Sequence, residues 1–363
     1  MKRVNVTMQD VAKLANVSQT TVSLILNHNN RSKFSQETIN RVYNAAKQLN
    51  YKVKKSAASH SKPSTIMVLT SNGSNPYYTS MISGIEETCY NNGYNVIYCC
   101  TYRKQENERM YLEMAIKDNY PCILLTSPQD RSAFEQAASH LPIVTICDKT
   151  AAIQTDMVEL NNHLMGQLAA KHLYDLGHRN IAILTTSLDR SVNRLERVKS
   201  LTSFFKQHLH NDCLVLCVDN IAPTGYVTDS LNDYHAGYLL ARNSKLYNNG
   251  ITAIVGISDM LAYGVMDCLS ERGISIPEDV SVIGFDNLFY SRLNGISLTT
   301  VEQHNELLAK SAVEILMQKL KAFTSITDYH RNSHRFKVEC QPQLYVRKST
   351  APPPKECRLI TST

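Results

Sequence analysis

The sequence predicts an α/β protein preceded by a small all-α head, and three observations predict it. Residues 1–62 hold eleven Lys and Arg against only Asp10 and Glu37, and their apolar residues recur at helical spacing. From Ser64 onward, short runs of Val, Ile and Leu alternate with amphipathic stretches of about ten to fifteen residues, the pattern of parallel sheets covered by helices on both faces. A chain of 363 residues is also long enough for two or three domains that each bury a core.

Composition narrows the classes of function. No run approaches the roughly 20 apolar residues of a membrane helix, and the basic start MKRVNVTMQDVAK has no apolar stretch behind it, so a soluble, cytoplasmic protein is expected. The ten cysteines include no C-x-x-C pair, and Cys89, Cys122, Cys147 and Cys268 sit among apolar residues as reduced buried thiols do. Cys213 and Cys217 lie in the strand-like run CLVLC with no histidine at ligand spacing, so no metal is expected. The whole chain carries +6, and the strongly basic head therefore leaves the remainder net acidic. That asymmetry points to a polyanionic partner for the head. No segment sets a basic face against a broad apolar one, which favours nucleic acid over a membrane.

Within the head, Thr7 precedes apolar Met8, Val11, Ala12, Leu14 and Ala15, with Asp10 three residues after it, a capping box that opens a first helix. The chain breaks at Asn16-Val17, and Ser18 starts a second helix, QTTVSLILN, whose Val22, Ile25 and Leu26 face inward. Ser35 caps a third, QETINRVYNAAKQLN, with Ile39, Val42, Ala46 and Leu49 on its inner side. Two short helices joined by so few residues make a helix-turn-helix. The second helix then offers Gln19, Thr20 and Thr21 outward, short polar groups suited to base edges in a major groove. The bland alternative is a three-helix core with a solvated face, and the coincident positive charge weighs against it.

TMQDVAKLANVSQTTVSLILN (7–27) followed by SQETINRVYNAAKQLNY (35–51) resembles the headpiece of the LacI/GalR family of bacterial transcription regulators. The resemblance implies that Gln19, Thr20 and Leu24 read double-stranded DNA. Many members carry arginine where Leu24 stands. Leucine can touch a thymine methyl but forms no hydrogen bond to guanine, so an unusual operator is expected. Thr7 joins the DNA-contacting set, and Ser18, Thr21, Ser23, Asn27 and Arg31 are the candidates for phosphate oxygens, which set register without carrying sequence.

In the body, TIMVLTS, YNVIYCC, CILLTS, PIVTICD, NIAILTT, LVLCVD, TAIVGIS and DVSVIGFD read as strands. PYYTSMISGIEETCYNNG, HLMGQLAAKHLYDLG and DMLAYGVMDCLSERG read as the helices between them. No Walker-type loop or G-x-G-x-x-G turn follows a strand, so no nucleotide cofactor is expected. NPYY (75–78), DLGHRNIAIL (175–184), RLERVKSL (194–201), IPEDVSVIGFDN (276–287), LTTVEQ (298–303) and PQLYVRKS (342–349) extend the same resemblance to about residue 349. It implies a two-lobed, periplasmic-binding-protein-like body that holds a small effector between its lobes. The expected organisation is a DNA-binding domain over 1–52, a hinge over 53–62, a body over 63–349 and a disordered tail over 350–363. The N-lobe is placed at about 63–161 with 290–322, and the C-lobe at 162–289 with 323–349.

In open α/β sheets, ligands bind beyond the carboxyl ends of the strands. Candidate effector contacts there are Tyr77, Tyr78, Ser127, Asp148, Asn161, Arg194, Arg197, Ser258 and Asp286. Carboxylates, amides and guanidiniums suit the vicinal hydroxyls of a carbohydrate, and a tyrosine suits its apolar face. By resemblance, Asp286, Asp148 and either Arg194 or Arg197 are the foremost. Asp286 as a turn cap, an arginine paired only with protein, and one tyrosine buried while the other lines the cleft are the competing readings. Ser258 stands where many members have Asn, and Asn232 where an aromatic platform is usual, so the effector class is left open. His178 reads as a surface or helix-end residue. No nucleophile–base elbow or H-E-x-x-H appears, so no enzyme is expected; a carboxylate pair hydrolysing a glycoside is the rival.

Between head and body, the family's hinge runs Tyr-x-Pro-Asn, then Ala, then a Leu wedged into the minor groove. Tyr51 and Ala57 match, while Val53, Lys54 and His60 replace Pro, Asn and Leu. Lys52, Lys54 and Lys55 supply phosphate contacts instead, and a shallower kink is expected; a flexible tether is the alternative. Paired heads imply a homodimer on a pseudo-palindromic operator. A repressor is expected, with an activator built from the same parts as the alternative.

Overall fold

The computed structural model describes residues 6–26, 34–49, 51, 65–146, 155–188, 191–210, 212–218, 229–243, 246, 250–322 and 335–355. The chain divides into two units, residues 1–61 and 62–363.

The first unit is helical. Helix α1 (Met8–Ala15) opens on the expected capping box: Thr7 N–H donates to Asp10 Oδ2 at 2.8 Å, and Asp10 N–H donates to Thr7 Oγ1 at 3.3 Å. It ends at Asn16, whose φ of 52° is the left-handed turn that redirects the chain. Helix α2 (Gln19–Leu26) follows at once, and α3 (Gln36–Gln48) starts from Ser35, whose Oγ accepts from Thr38 N–H at 3.3 Å. Val11, Ala15, Val22, Ile25, Leu26, Val42 and Ala46 form one buried cluster with Met8, Ile39 and Leu49 packed against it, which is the helical spacing read from the sequence except for Leu14, which is exposed.

The second unit holds two six-stranded sheets. The first has the order β11-β5-β4-β3-β1-β2, built from Lys337–Cys340, Asp156–Leu160, Ile143–Ile146, Cys122–Leu124, Thr65–Thr70 and Asn95–Cys100, all parallel. The second has the order β12-β10-β9-β8-β6-β7, built from Gln343–Tyr345, Thr299–Glu302, Ser281–Asp286, Ala253–Gly256, Ile181–Thr186 and Leu214–Val218. Only β12 runs antiparallel to its neighbour. Central strands such as β9 are buried along their whole length, which is why they read as unbroken apolar runs. Helices α4 (Pro76–Asn91), α5 (Gln105–Asp118), α6 (Arg131–Ala138) and α11 (Asn305–Ala322) accompany the first sheet. Helices α7 (Asn162–Asp175), α8 (Val192–Leu209), α9 (Asp229–Ala241) and α10 (Asp259–Glu271) accompany the second.

The chain crosses between lobes three times: after β5, after β10 and after β11. This corrects the expected boundaries. Thr299–Glu302, assigned to the N-lobe, pairs with Ser281–Asp286 in the second sheet, and Lys337–Cys340, assigned to the C-lobe, pairs with β5 in the first. The expected disordered tail is also corrected for residues 350–355. Ala351 C=O accepts from His178 Nε2 at 2.9 Å, Thr350 Oγ1 lies 3.0 Å from His172 Nε2, and Pro353 packs where Gly177 has no side chain. His178 is thus no surface residue: it is fully buried, with Thr252 Oγ1 at 2.9 Å on its other nitrogen. Residues 356–363 lie outside the described residues.

Candidate functional site

On the head, the start of α2 is built by Ser18, whose Oγ accepts from Thr21 N–H at 3.0 Å and lies 2.9 Å from Thr21 Oγ1. Those two hydroxyls, and that of Thr7, which donates to Asp10 Oδ2 at 2.6 Å, therefore shape the helix starts. The Thr7 bonds hold the Asp10 carboxyl below its ordinary range. Gln19 and Thr20 project into solvent, while Thr21, Ser23 and Leu24 are half-buried along the same helix. Tyr43 from α3 braces α2 by donating to Ile25 C=O at 3.4 Å. The expected contacts Asn27, Arg31, Lys52, Lys54, Lys55, Ala57 and His60 lie outside the described residues, as does Asp148 of the body.

In the body, a cavity of about 280 Å³ opens at the carboxyl ends of the strands, lined from both lobes. Seven of the predicted effector residues line it: Tyr77, Tyr78, Ser127, Arg194, Arg197, Ser258 and Asp286. Asn161 does not. It caps α7, accepting from Leu164 N–H at 2.8 Å, and donates to Glu339 at 3.1 Å beside the lobe crossing. Asn75 caps α4 by accepting from Tyr77 N–H at 2.9 Å, which sets both tyrosines at the cavity wall with ring centroids 5.1 Å apart, edge to face. Tyr78 belongs to the buried core of the first lobe and Tyr77 is half-buried, as the division of the two rings between core and cleft expects, and both also border the cavity.

Both arginines contribute, in different ways. Arg197 is buried, donating from Nε to Asn162 Oδ1 at 2.8 Å and from Nη1 to Ile257 C=O at 3.2 Å, with its guanidinium 5.4 Å from the Phe285 ring. Arg194 grips Asp233 with both terminal nitrogens, at 3.2 and 2.7 Å, and also bonds the Thr186 hydroxyl. Burial opposes the Arg194 charge, but the Asp233 carboxylate outweighs it and holds the guanidinium protonated. Asp233 in turn accepts from Ser258 Oγ at 2.9 Å. That approach needs α9 and α10 to cross closely at two glycines: a Cβ on Gly237 would collide with Leu261 C=O, and one on Gly264 with Tyr234 C=O.

Asp286 ends β9 at a φ of 124°, a conformation rare for a residue with a side chain, and accepts from Gln303 Nε2. Burial first, and then the nearby Asp259 carboxylate, push its carboxyl well above the usual range. Sequence reasoning missed Asp233, Gln303, Asn193, Gln129 and Arg103, all of which line the cavity. For Asp233 a signal existed, an acid beside Asn232 in the segment NDYHAG; Gln303 lay inside the quoted string LTTVEQ. Among the described residues no helix is long and apolar enough to cross a membrane, and no cluster of three or more His, Cys, Asp or Glu is placed to hold a metal.

Comparison with known proteins places these two regions together. Residues 7–53 match the family described as bacterial regulatory proteins, lacI family, and residues 170–350 match a periplasmic binding protein-like domain. The HTH-type transcriptional repressor PurR of Actinobacillus pleuropneumoniae serotype 3 is 30% identical over 349 residues, covering 94% of this chain and 98% of the relative. Among solved structures, a LacI-family transcriptional regulator from Silicibacter pomeroyi is similar with a TM-score of 0.70 at 19% identity, covering 95% of this chain and 99% of that one. A LacI-family regulator from Enterococcus faecium with bound ribose has a TM-score of 0.66 at 24% identity, covering 79% of this chain and 99% of that one.

Proposed function

The chain belongs to the LacI family of bacterial regulatory proteins, a DNA-binding transcriptional repressor in type, and we propose that a carbohydrate-like effector in the body cavity sets its affinity for DNA. The observation that carries this reading is the convergence of Asp286, Arg197 and the Arg194–Asp233 pair on one cavity lined from both lobes. Planar carboxylate and guanidinium groups pair with vicinal hydroxyls, and the Tyr77 and Tyr78 rings offer an apolar face. The ribose bound by the Enterococcus faecium regulator, a protein of the same fold, supports the reading.

The protein works as a homodimer on a pseudo-palindromic operator, each head reading one half-site with Gln19, Thr20 and Leu24. Residues 53–62 act as the hinge, with Lys52, Lys54 and Lys55 on phosphates. A ligand that binds one arrangement of the lobes better than another shifts the population and so the spacing of the heads. The cavity returns its ligand unchanged.

The test is a gel shift on an operator selected from random duplexes, repeated with sugars, sugar derivatives and purines. At least one ligand should change operator affinity, and Asp286→Asn should abolish that response while leaving ligand-free binding intact. A response that survives Asp286→Asn, or operator binding indifferent to every ligand that binds, rules the reading out.

A further inference from the structure

One side chain ties the cavity wall to the passage between the lobes without lining the cavity itself. Asn162 is the first residue of α7, fully buried, and follows directly on the crossing that leads from β5 in the first sheet to the second lobe. Its amide reaches both ways. Oδ1 accepts from Arg197 Nε at 2.8 Å, while Nδ2 donates to Asn193 Oδ1 at 3.0 Å and to Leu160 C=O at 3.4 Å. Arg197 and Asn193 stand in the cavity wall, and Leu160 is the last residue of β5.

Chemistry fixes the direction of these bonds. A guanidinium only donates, so the Asn162 oxygen faces Arg197 and its NH2 group faces the two acceptors. A carboxylate at this position would serve Arg197 and repel Leu160 C=O. An apolar side chain would serve neither.

The neighbouring groups leave this link little slack. Arg197 Nη1 donates to Ile257 C=O at 3.2 Å, just past the end of β8. Ser200, one turn along α8 from Arg197, donates from Oγ to His163 C=O at 2.6 Å and pins α8 to the first turn of α7. On the other side of the crossing, Asn161 N–H donates to Cys340 C=O at 3.5 Å and its Nδ2 to Glu339 Oε1 at 3.1 Å, at the end of β11 where the third crossing begins. A ligand that draws on the Arg197 guanidinium therefore draws on Asn162, and through its NH2 group on the backbone at the crossing. A continuous chain of buried polar contacts of this kind can carry coupling between two sites.

We propose that Asn162 is a positioning residue that transmits occupancy of the cavity to the lobe crossing: it sets Arg197 and Asn193 for the effector and carries their displacement to Leu160, which alters operator affinity. This rests on the reading of the cavity as the effector site and names the route by which that site acts.

Asn162→Asp tests it in the full-length protein, because a carboxylate keeps the acceptor for Arg197 and removes both donors. Calorimetric titration with ribose and with glucose measures binding, and gel shifts on the selected operator with and without each sugar measure the response. A sugar that binds wild type should bind the variant within threefold, while the change it causes in operator affinity falls from tenfold or more to less than twofold. A purely structural role would lower both together. If the aspartate variant fails to fold, Asn162→Ala, whose gap admits water to Arg197, should show the same separation. A variant that keeps the full response, or that loses binding and response in proportion, overturns the inference. Sugar binding that leaves wild-type operator affinity unmoved sinks the effector-site reading itself. If neither sugar binds wild type, it is the carbohydrate reading that loses support, and the route is decided without ligand by a double-mutant cycle on operator affinity with Arg197→Lys and Asn162→Asp. Coupling of threefold or more supports the route, and additive effects overturn it.

Discussion

The Asp259 carboxylate accepts a 2.6 Å hydrogen bond from the Ser291 hydroxyl, and so the first residue of α10 holds the turn that follows Asp286. Leu288 N–H at 2.9 Å and Thr300 Oγ1 at 2.6 Å complete its partners, and Tyr263 OH lies 2.7 Å from the same serine oxygen. Asp286 and Asn287, at φ of 124° and 51°, lead into the turn that this buried acid holds through Leu288 N–H.

The same acid predicts a pH dependence. Burial pushes the Asp259 carboxyl up to about 6, with the Ser291, Thr300 and Leu288 bonds pulling the other way. An unfolded aspartate titrates near about 3.9. The folded chain therefore holds this proton more tightly, and the stability it contributes is greatest below about 3.9 and falls as pH rises toward about 6. Urea melts of wild type and Asp259→Asn across that window should show the wild type losing stability relative to the variant with rising pH. A constant difference would refute the assignment.

His178 behaves with the opposite sign. Burial lowers its pKa to about 4, whereas an unfolded histidine titrates near about 6.5. The unfolded chain takes up the proton first, so stability falls as pH drops from about 6.5 toward about 4. His178→Phe leaves Ser281 and the Ala351 carbonyl without this partner and should cost about 1–3 kcal/mol at neutral pH. It should also flatten the acid limb of a chemical-denaturation profile. An unchanged acid limb would assign that limb to other groups.

How much of this was legible in the sequence follows from what is local. The Thr7–Asp10 box, the break at Asn16 and the inward faces of the head helices depend on neighbours within a few residues and stand as read, except that Leu14 of the first helix is exposed. The strands of the central sheets were visible because burial on both faces makes them continuously apolar. Strand β11 was assigned to the wrong lobe because Lys337–Cys340 is an edge strand with exposed positions and carries no apolar signal of its destination. The packed segment after Ser349 and the burial of His178 depend on each other across more than 170 residues, which no local pattern records. Asp233 was missed for the same reason: its partner Arg194 is on another helix.

For the head, the proposed base-reading role of Gln19, exposed at the start of α2, predicts that Gln19→Ala weakens specific operator binding by about 1–3 kcal/mol and relaxes the preference at one base position. Competition gel shifts at fixed salt check this. A loss equal on specific and random duplexes would make Gln19 a backbone contact.

The last prediction concerns the strand that returns to the first lobe. Lys319 on α11 lies 3.2 Å from Asp156 at the start of β5, with side chains 5% and 2% exposed. Asp156 also accepts from Phe336 N–H at 2.8 Å, and the Lys319 ammonium sits 5.3 Å from the Phe336 ring. One buried ion pair thus joins α11, β5 and the entry to β11. Lys319→Met removes the charge that compensates a buried carboxylate, which typically costs about 3–5 kcal/mol, whereas an apolar or neutral replacement of both partners costs much less. Lys319→Met with Asp156→Asn should therefore recover more than half of the loss in a double-mutant cycle read by urea unfolding. The single variant should also expose the segment around Phe336 to limited proteolysis before the rest of the body opens, because that segment is held by Asp156. Additive losses in the cycle would mean that the two charges stabilise the lobe independently, and the return strand would then be held by its ladder with β5 alone.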